Sequence, residues 1–502
     1  MSEIPAQGDT IAGAGALAPR VVRGGLWVAL ASYSSVGFGF LANLGLTRIL
    51  GPEAFGIIAL ANFIGSLINL RPKSGINQAF ARLPEMSGAL AGTHLALDVG
   101  AGTLTLVLAA AAMPVLRAFG YASSVAWAVL ALAAVGVLDS VMGTAWVLLD
   151  RELRFRDSSL VSIAAFPLSY LPAFWLALHG AGYWSLLAQT GTYSLLLLLG
   201  MWWMARRRLP HIWRLEWRFD GRVARSLLRF GVVVGAATMA GLFLTQFDNF
   251  LVGTFVGLTV LGFYDRAYRI AQWPTVLVSG VVNRTAFYTY ARVQDDPARL
   301  LKSVTMALWV ITSLALPLAL AIFAAAPDLV ALLYGPKWLP AAPFVRFLVV
   351  FSLLRPVLDL MGSLFVAVGR PKRATAVSGL QAVALAVVAT PLTLLRGAVG
   401  TCIGVGVAFG VGLVAAYRYL RRTVDLSLYG ALAAPAASTA LALAAYGLMG
   451  RGAAIAALPL VARVAAKGGL VTGVFVAAML AFEGRTTVER LRYVWQQLQP
   501  GR

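Results

Sequence analysis

Residues 95–116, LALDVGAGTLTLVLAAAAMPVL, and 122–149, ASSVAWAVLALAAVGVLDSVMGTAWVLL, decide the fold class. Each is an almost unbroken apolar run, and a helix needs about 20 mostly apolar residues to cross a bilayer. Working outward, similar runs are expected as helices at 24–47, 55–70, 158–178, 182–204, 227–256, 262–283, 304–333, 341–369, 374–395, 398–420, 428–449 and 460–482. Pro317 and Pro327 interrupt the ninth of the fourteen runs, where either a kink or an interfacial helix end is expected. The whole chain fits this reading: of 502 residues 60% are hydrophobic and 12% charged, against roughly 25% charged in a soluble domain. The expected fold is all-α and polytopic, with about fourteen transmembrane helices.

The net charge of +21 could indicate a nucleic-acid partner. Its distribution argues against one. Basic residues cluster in every second loop, the positive-inside pattern. With a cytoplasmic N-terminus, thirty of the 41 Lys and Arg fall inside, among them Arg71, Lys73, Arg82, Arg151, Arg154 and Arg156, the eight arginines from Arg206 to Arg229, and Arg418, Arg421 and Arg422. Seven fall outside: Arg48, Arg117, Lys337, Arg396, Arg451, Arg463 and Lys467. Both termini are therefore expected in the cytoplasm, in an inner membrane. Residues 1–19 carry Glu3 and Asp9 with no basic region before an apolar core, which reads as a cytoplasmic tail and not a signal peptide.

Offsetting the chain by 206 residues lays Gly25–Ala61 over Gly231–Ala267 and matches Gly25 with Gly231, Asn43 with Asn249, Gly51 with Gly257 and Gly56 with Gly262. Six helices separate the two stretches, so the halves share one orientation and a pseudo-two-fold along the membrane normal is expected. The expected organisation is a lobe at 20–205, a basic cytoplasmic linker at 206–226, a second lobe at 227–422, two appended helices at 423–484 and a tail at 485–502. Trp213 and Trp217 within the linker suit an interfacial segment held against anionic headgroups.

Enzyme signatures are missing. No Walker A loop is present, and His94, His179 and His211 lack metal-ligand spacing and read as interfacial residues near helix ends. Cys402 is the single cysteine, which removes intrachain disulfides. The outer loops are too short to hold an acceptor for glycan polymerisation. Neither catalytic residues, a metal nor a cofactor is expected.

Ionisable residues within apolar segments are costly in hydrocarbon and are functional candidates. These are Asp248 beside Asn249, then Asp265, Arg266 and Arg269, and finally Arg346, Arg355 and Asp359. Asp265 with Arg269 and Arg355 with Asp359 are spaced i,i+4 and suit self-neutralising pairs, whereas Arg266 has no such partner. Arginine forks match phosphate oxygens, so a cationic cavity suits a pyrophosphate-linked cargo, while drugs or cations would call for carboxylates. Asp248 reads either as a coupling-ion site or as a hydrogen-bonded partner of Asn249.

The segment Arg48-Ile-Leu-Gly-Pro-Glu-Ala-Phe-Gly-Ile-Ile-Ala-Leu-Ala61 resembles the first-loop motif of the polysaccharide transporter (Wzx-type flippase) family of the multidrug/oligosaccharidyl-lipid/polysaccharide superfamily. The resemblance extends through Phe230-Gly231, Asp248-Asn-Phe-Leu-Val-Gly253, Leu261-Gly-Phe-Tyr264 with Ala267-Tyr-Arg269, and Leu333-Tyr-Gly-Pro-Lys-Trp338. It implies fourteen helices in two six-helix lobes plus a pair, alternating access, and an undecaprenyl-pyrophosphate oligosaccharide as cargo for O-antigen, capsule or exopolysaccharide. It also implies a polysaccharide polymerase and export machinery as partners. Arg48, Asp248, Asn249 and Arg269 occupy motif positions, whereas Asp265 and Arg266 depart from the usual small or polar residues. Arg346 and Arg355 complete the candidate substrate-binding set. A drug/cation antiporter of the same superfamily and a non-transporting scaffold for envelope assembly remain as alternatives.

Overall fold

Backbone groups in hydrocarbon have no water to bond, so a spanning segment must satisfy them within its own helix. In a computed structural model, which describes residues 8–498 except 72–74, 83–86, 214, 422–428 and 450–451, the described residues form helices joined by short turns, with no strands. Nine helical stretches among them are long and apolar enough to cross a membrane, and the shorter Pro52–Ile68 is also apolar. The chain is a polytopic membrane protein. Lys73, Arg422 and Arg451, expected in loops, lie outside the described residues, as do residues 1–7 and 499–502 of the expected tails.

Contacts divide the chain into two units, Met1–Leu242 and Phe243–Arg502. The first contains α1 (Gly8–Ile49), α2 (Pro52–Ile68), α3 (Ile76–Arg82), α4 (Gly88–Ala118), α5 (Ser123–Arg151), α6 (Phe155–Leu178), α7 (Tyr183–Arg208), the short α8 (Pro210–Trp213) and the start of α9 (Gly221–Phe255). Helix α4 packs on α5, α6 on α7, and α1 on α6. A core of Phe80, Leu90, Leu148, Leu149, Leu197, Met201 and Ile212 fills the space between them.

The basic linker is seated on this unit. Trp213 stacks on Trp217 at 5.2 Å, and both lie near Trp202. The Arg218 N–H donates to the Gly88 carbonyl at 3.3 Å and the Asp220 N–H to the Thr93 hydroxyl at 2.8 Å. Asp220 then caps α9 by accepting from the N–H groups of Arg222 and Val223, and these bonds hold its carboxyl below the ordinary carboxylate range.

The second unit continues with α10 (Leu258–Ala271), α11 (Trp273–Arg292), α12 (Pro297–Tyr334), α13 (Ala342–Ser352), α14 (Leu354–Ala367), α15 (Pro371–Ala384), α16 (Thr390–Arg421), α17 (Tyr429–Met449), α18 (Ala453–Ala456) and α19 (Leu460–Leu498). Pro317 and Pro327 both lie inside α12, which runs through them without an end. The expected helix at 262–283 is divided at Gln272, and the one at 341–369 at Leu353.

A π-helical turn, Leu385–Ala389, joins α15 to α16. Gly397, at φ 60°, breaks the helix there and reverses the chain. The two arms lie antiparallel, since Thr393 and Thr401 share a hydrogen bond at 2.8 Å and Gly404 and Gly412 lie against Ala389 and Gln381. Small residues let the backbones approach this closely, as in other membrane helix pairs. A second clamp fixes α19 to α12, where Asp328 accepts from Arg463 at 3.1 Å and Lys467 at 2.6 Å. Below it Trp309 donates to Glu483, which also pairs with Arg490.

A Cβ at Gly404 would clash with the Ala389 Cα, whereas one at Gly410 meets nothing within 4 Å. Gly404→Leu is expected to lower stability by about 1–3 kcal/mol through overpacking. Gly410→Leu should cost less than about 0.5 kcal/mol. Thermal unfolding of the two purified variants compares them directly.

Candidate substrate site

Helix α9 delivers Asp248 and Asn249, and the turn at Gly257, with φ 126°, sends the chain back along α10. This reversal sets Tyr264 opposite Asp248. The Tyr264 hydroxyl donates to Asp248 Oδ2 at 2.8 Å, and the Asn249 N–H donates to Oδ1 at 2.9 Å. Tyr264 is fully buried and Asp248 is 4% exposed. The expected partnership of Asp248 with Asn249 is thus realised through the backbone, while the side-chain partner is Tyr264, which sequence reasoning missed.

Tyr264 stacks over Tyr268 at 6.2 Å, and Arg355 of α14 reaches the Tyr268 hydroxyl at 3.5 Å, a long contact. Asp248, Tyr264, Tyr268 and Arg355 therefore form a continuous row. Little room remains beside it: the space bounded by Tyr268, Gln272, Phe351 and Arg355 is only about 10 Å³. The i,i+4 pairing expected of Arg355 and Asp359 does not form within 4 Å, although both lie in α14; Arg355 turns instead to Tyr268.

Asp265 serves two arginines. Arg266 donates to Asp265 Oδ2 through Nε at 3.0 Å and Nη2 at 2.6 Å, while Arg269 reaches the same oxygen at 3.5 Å. The expectation that Arg266 lacks an evident partner is corrected: its long side chain turns back on the preceding residue. The two guanidinium groups also differ in access, with side chains 4% and 58% exposed for Arg266 and Arg269. One carboxylate against two cations leaves a local charge of +1, presented by Arg269.

Arg346 is elsewhere. It bonds the Phe323 carbonyl at 3.3 Å and the Tyr446 hydroxyl at 3.2 Å, and its guanidinium lies over the Phe323 ring. This arrangement ties α13 to α12 and α17. Arg48 stands exposed at the end of α1 in the first unit.

Two motif stretches of the sequence meet around α10. Gly335, at φ 96°, turns the chain out of α12 so that Trp338 is fully buried edge-on to Phe263 at 5.7 Å, and Phe344 packs against Tyr264. In the first unit His94 is buried against Phe80, with hydrogen bonds to Thr144 and Asn77, which corrects its interfacial reading. Arg71, expected as a loop cation, turns inward and binds Asp98 through two hydrogen bonds of 2.8 and 3.0 Å.

These contacts carry different energies. Asp265→Ala removes the counter-charge of a buried guanidinium and should destabilise the protein by about 3–5 kcal/mol. Tyr264→Phe deletes one charge-assisted hydrogen bond and should cost about 1.5–3 kcal/mol. Unfolding midpoints in detergent give the ranking.

The family model described as "Polysaccharide biosynthesis protein" matches residues 46–343, more than half the chain. The chain is 25% identical over 371 residues to the lipopolysaccharide biosynthesis protein WzxC of Escherichia coli, covering 70% of this chain and 71% of that one. It is 26% identical over 341 residues to the succinoglycan biosynthesis transport protein ExoT of Rhizobium meliloti, covering 66% of each. Among solved structures, the lipid II flippase MurJ in an inward closed conformation matches with a TM-score of 0.72 at 10% identity, over 92% of this chain and 99% of that one. An inward-facing multidrug resistance MATE family transporter matches with a TM-score of 0.55 at 18% identity, over 76% and 93%. The two structural likenesses concern the fold.

Proposed function

The chain belongs to the polysaccharide biosynthesis protein family, and on that premise we propose that it is a flippase for polyprenyl-pyrophosphate-linked oligosaccharide repeat units. Its cargo would be an undecaprenyl-pyrophosphate glycan bound for O-antigen, capsule or exopolysaccharide. The observation that carries this reading is the Arg266, Asp265 and Arg269 cluster, two guanidinium groups on one carboxylate with Arg269 more than half exposed. A pyrophosphate must shed water to cross, and an exposed guanidinium offers it a bidentate partner. The names of the relatives, a lipopolysaccharide biosynthesis protein and a succinoglycan transport protein, agree with a glycan cargo.

In this reading the chain makes fourteen spans with both termini in the cytoplasm. Access alternates between the two sides, the glycan crosses in water, and the prenyl tail remains in lipid. No bond of the cargo is made or broken. Asp248, held by Tyr264, is the candidate for a coupling ion, and Asn249, Arg355 and Arg48 remain candidates for cargo contact. Arg346 is engaged with Phe323 and Tyr446 and takes a supporting part. Polymerase and export machinery would act on the delivered product.

Reconstitution tests the proposal. Vesicles containing the protein and a labelled polyprenyl-pyrophosphate oligosaccharide should move label between leaflets at least about tenfold faster than empty vesicles. Arg269→Gln should reduce the rate about tenfold, equivalent to roughly 1.4 kcal/mol. Equal rates with and without protein would overturn the proposal. Export of organic cations without glycan transfer would favour the drug/cation antiporter, and a wild-type envelope phenotype for Arg269→Gln without transfer would favour a scaffold.

A further inference from the structure

The first unit contains a cavity of about 210 Å³ between α2, α4, α5 and α7, in whose mostly apolar wall Asn62, Ser66, Asn69, Thr105, Asp139 and Thr190 supply the polar groups. Asp139 is twelve residues from the Arg151 end of α5, about 18 Å along the helix axis, well inside the hydrocarbon thickness. A carboxylate at that depth needs a countercharge. The neighbouring Asp98 has one in Arg71, which binds it bidentately and gives a further bond of 2.9 Å to the main-chain carbonyl of Asp139. The Asp139 carboxylate itself has no cationic side chain within 4 Å among the described residues, and its side-chain hydrogen-bond partner is the Ser194 hydroxyl.

We infer that this cavity binds a monovalent alkali cation, with the Asp139 carboxylate as the charged ligand and amide and hydroxyl oxygens of Asn69, Thr105 and Thr190 as neutral ones. The donor chemistry selects the class. Oxygen donors suit hard cations, and a single formal charge suits a monovalent ion. Among the described residues no group of three His, Cys, Asp or Glu could hold a divalent metal. Arg71 keeps the inner part of the cluster neutral by pairing with Asp98, so the charge of Asp139 is left for the ion. The inference stands on the first unit alone and survives or fails separately from the flippase reading.

The test measures binding of radioactive Na⁺ and the thermal unfolding midpoint of the purified full chain in NaCl, KCl, LiCl and choline chloride at equal ionic strength. It is run on the wild type and on Asp248→Asn, so that a site at Asp248 cannot supply the signal. At least one alkali cation should raise the midpoint over choline by on the order of 2 °C. Asp139→Asn should abolish that rise and weaken Na⁺ binding at least about tenfold, or remove the competition of K⁺ or Li⁺ if one of these is the preferred ion. Thr190→Val provides a milder variant should Asp139→Asn fail to fold, with binding weakened about threefold. The surface change Asp295→Asn should alter neither readout. Equal midpoints in all four salts, an undiminished response in folded Asp139→Asn, or a response to pH without any response to alkali cations would each overturn the inference.

Discussion

Hydrocarbon supplies neither water nor counter-ions, so every ionic group carried into it has to be answered by the chain itself. That constraint organises both units. Arg71 answers Asp98 in the first, and Asp265 answers Arg266 in the second. Asp248 is held by a tyrosine hydroxyl and a backbone N–H. The contacts that join separate segments, Arg71 with Asp98 and Tyr264 with Asp248, specify which segment faces which neighbour in a medium where apolar contact alone discriminates weakly. The same logic marks the exceptions, because a charge the fold leaves partly unanswered is available to a ligand. Arg269 is such a cation in the second unit, and Asp139 such an anion in the first.

Much of this architecture was legible in the sequence. Apolar run lengths place the helices, and the break at Gly397 agrees with the expected division between 374–395 and 398–420. Helix pairing was less legible, since the glycines facing the reversed arm, Gly400, Gly404 and Gly412, resemble any others in a chain with 50 of them. Only the backbone reversal shows which of these glycines lie in the contact.

The candidate site was legible as a set of residue types and not as a set of contacts. Asp248 and Tyr264 are sixteen residues apart across a turn, a spacing that matches no helical period. Arg266 and Asp265 are adjacent, and adjacent helical residues ordinarily diverge by about 100°. Only the length of the arginine side chain closes the pair. Asp98 and Asp139 stood within the two runs that announced the fold, yet their connection through Arg71 spans 27 and 68 residues of sequence. Periodicity has no access to contacts of that range.

The account rests finally on charge: an exposed guanidinium that shares one carboxylate with a buried guanidinium is where an anionic linkage would be met. The most direct measurement compares, in the same proteoliposomes, translocation of a polyprenyl-pyrophosphate oligosaccharide with that of the same glycan on a neutral polyprenyl ether. The account predicts that the pyrophosphate cargo crosses at least about tenfold faster and that Arg269→Gln removes most of the difference, a discrimination of roughly 1.4 kcal/mol. Equal rates for the charged and neutral cargo in the wild-type protein would contradict it.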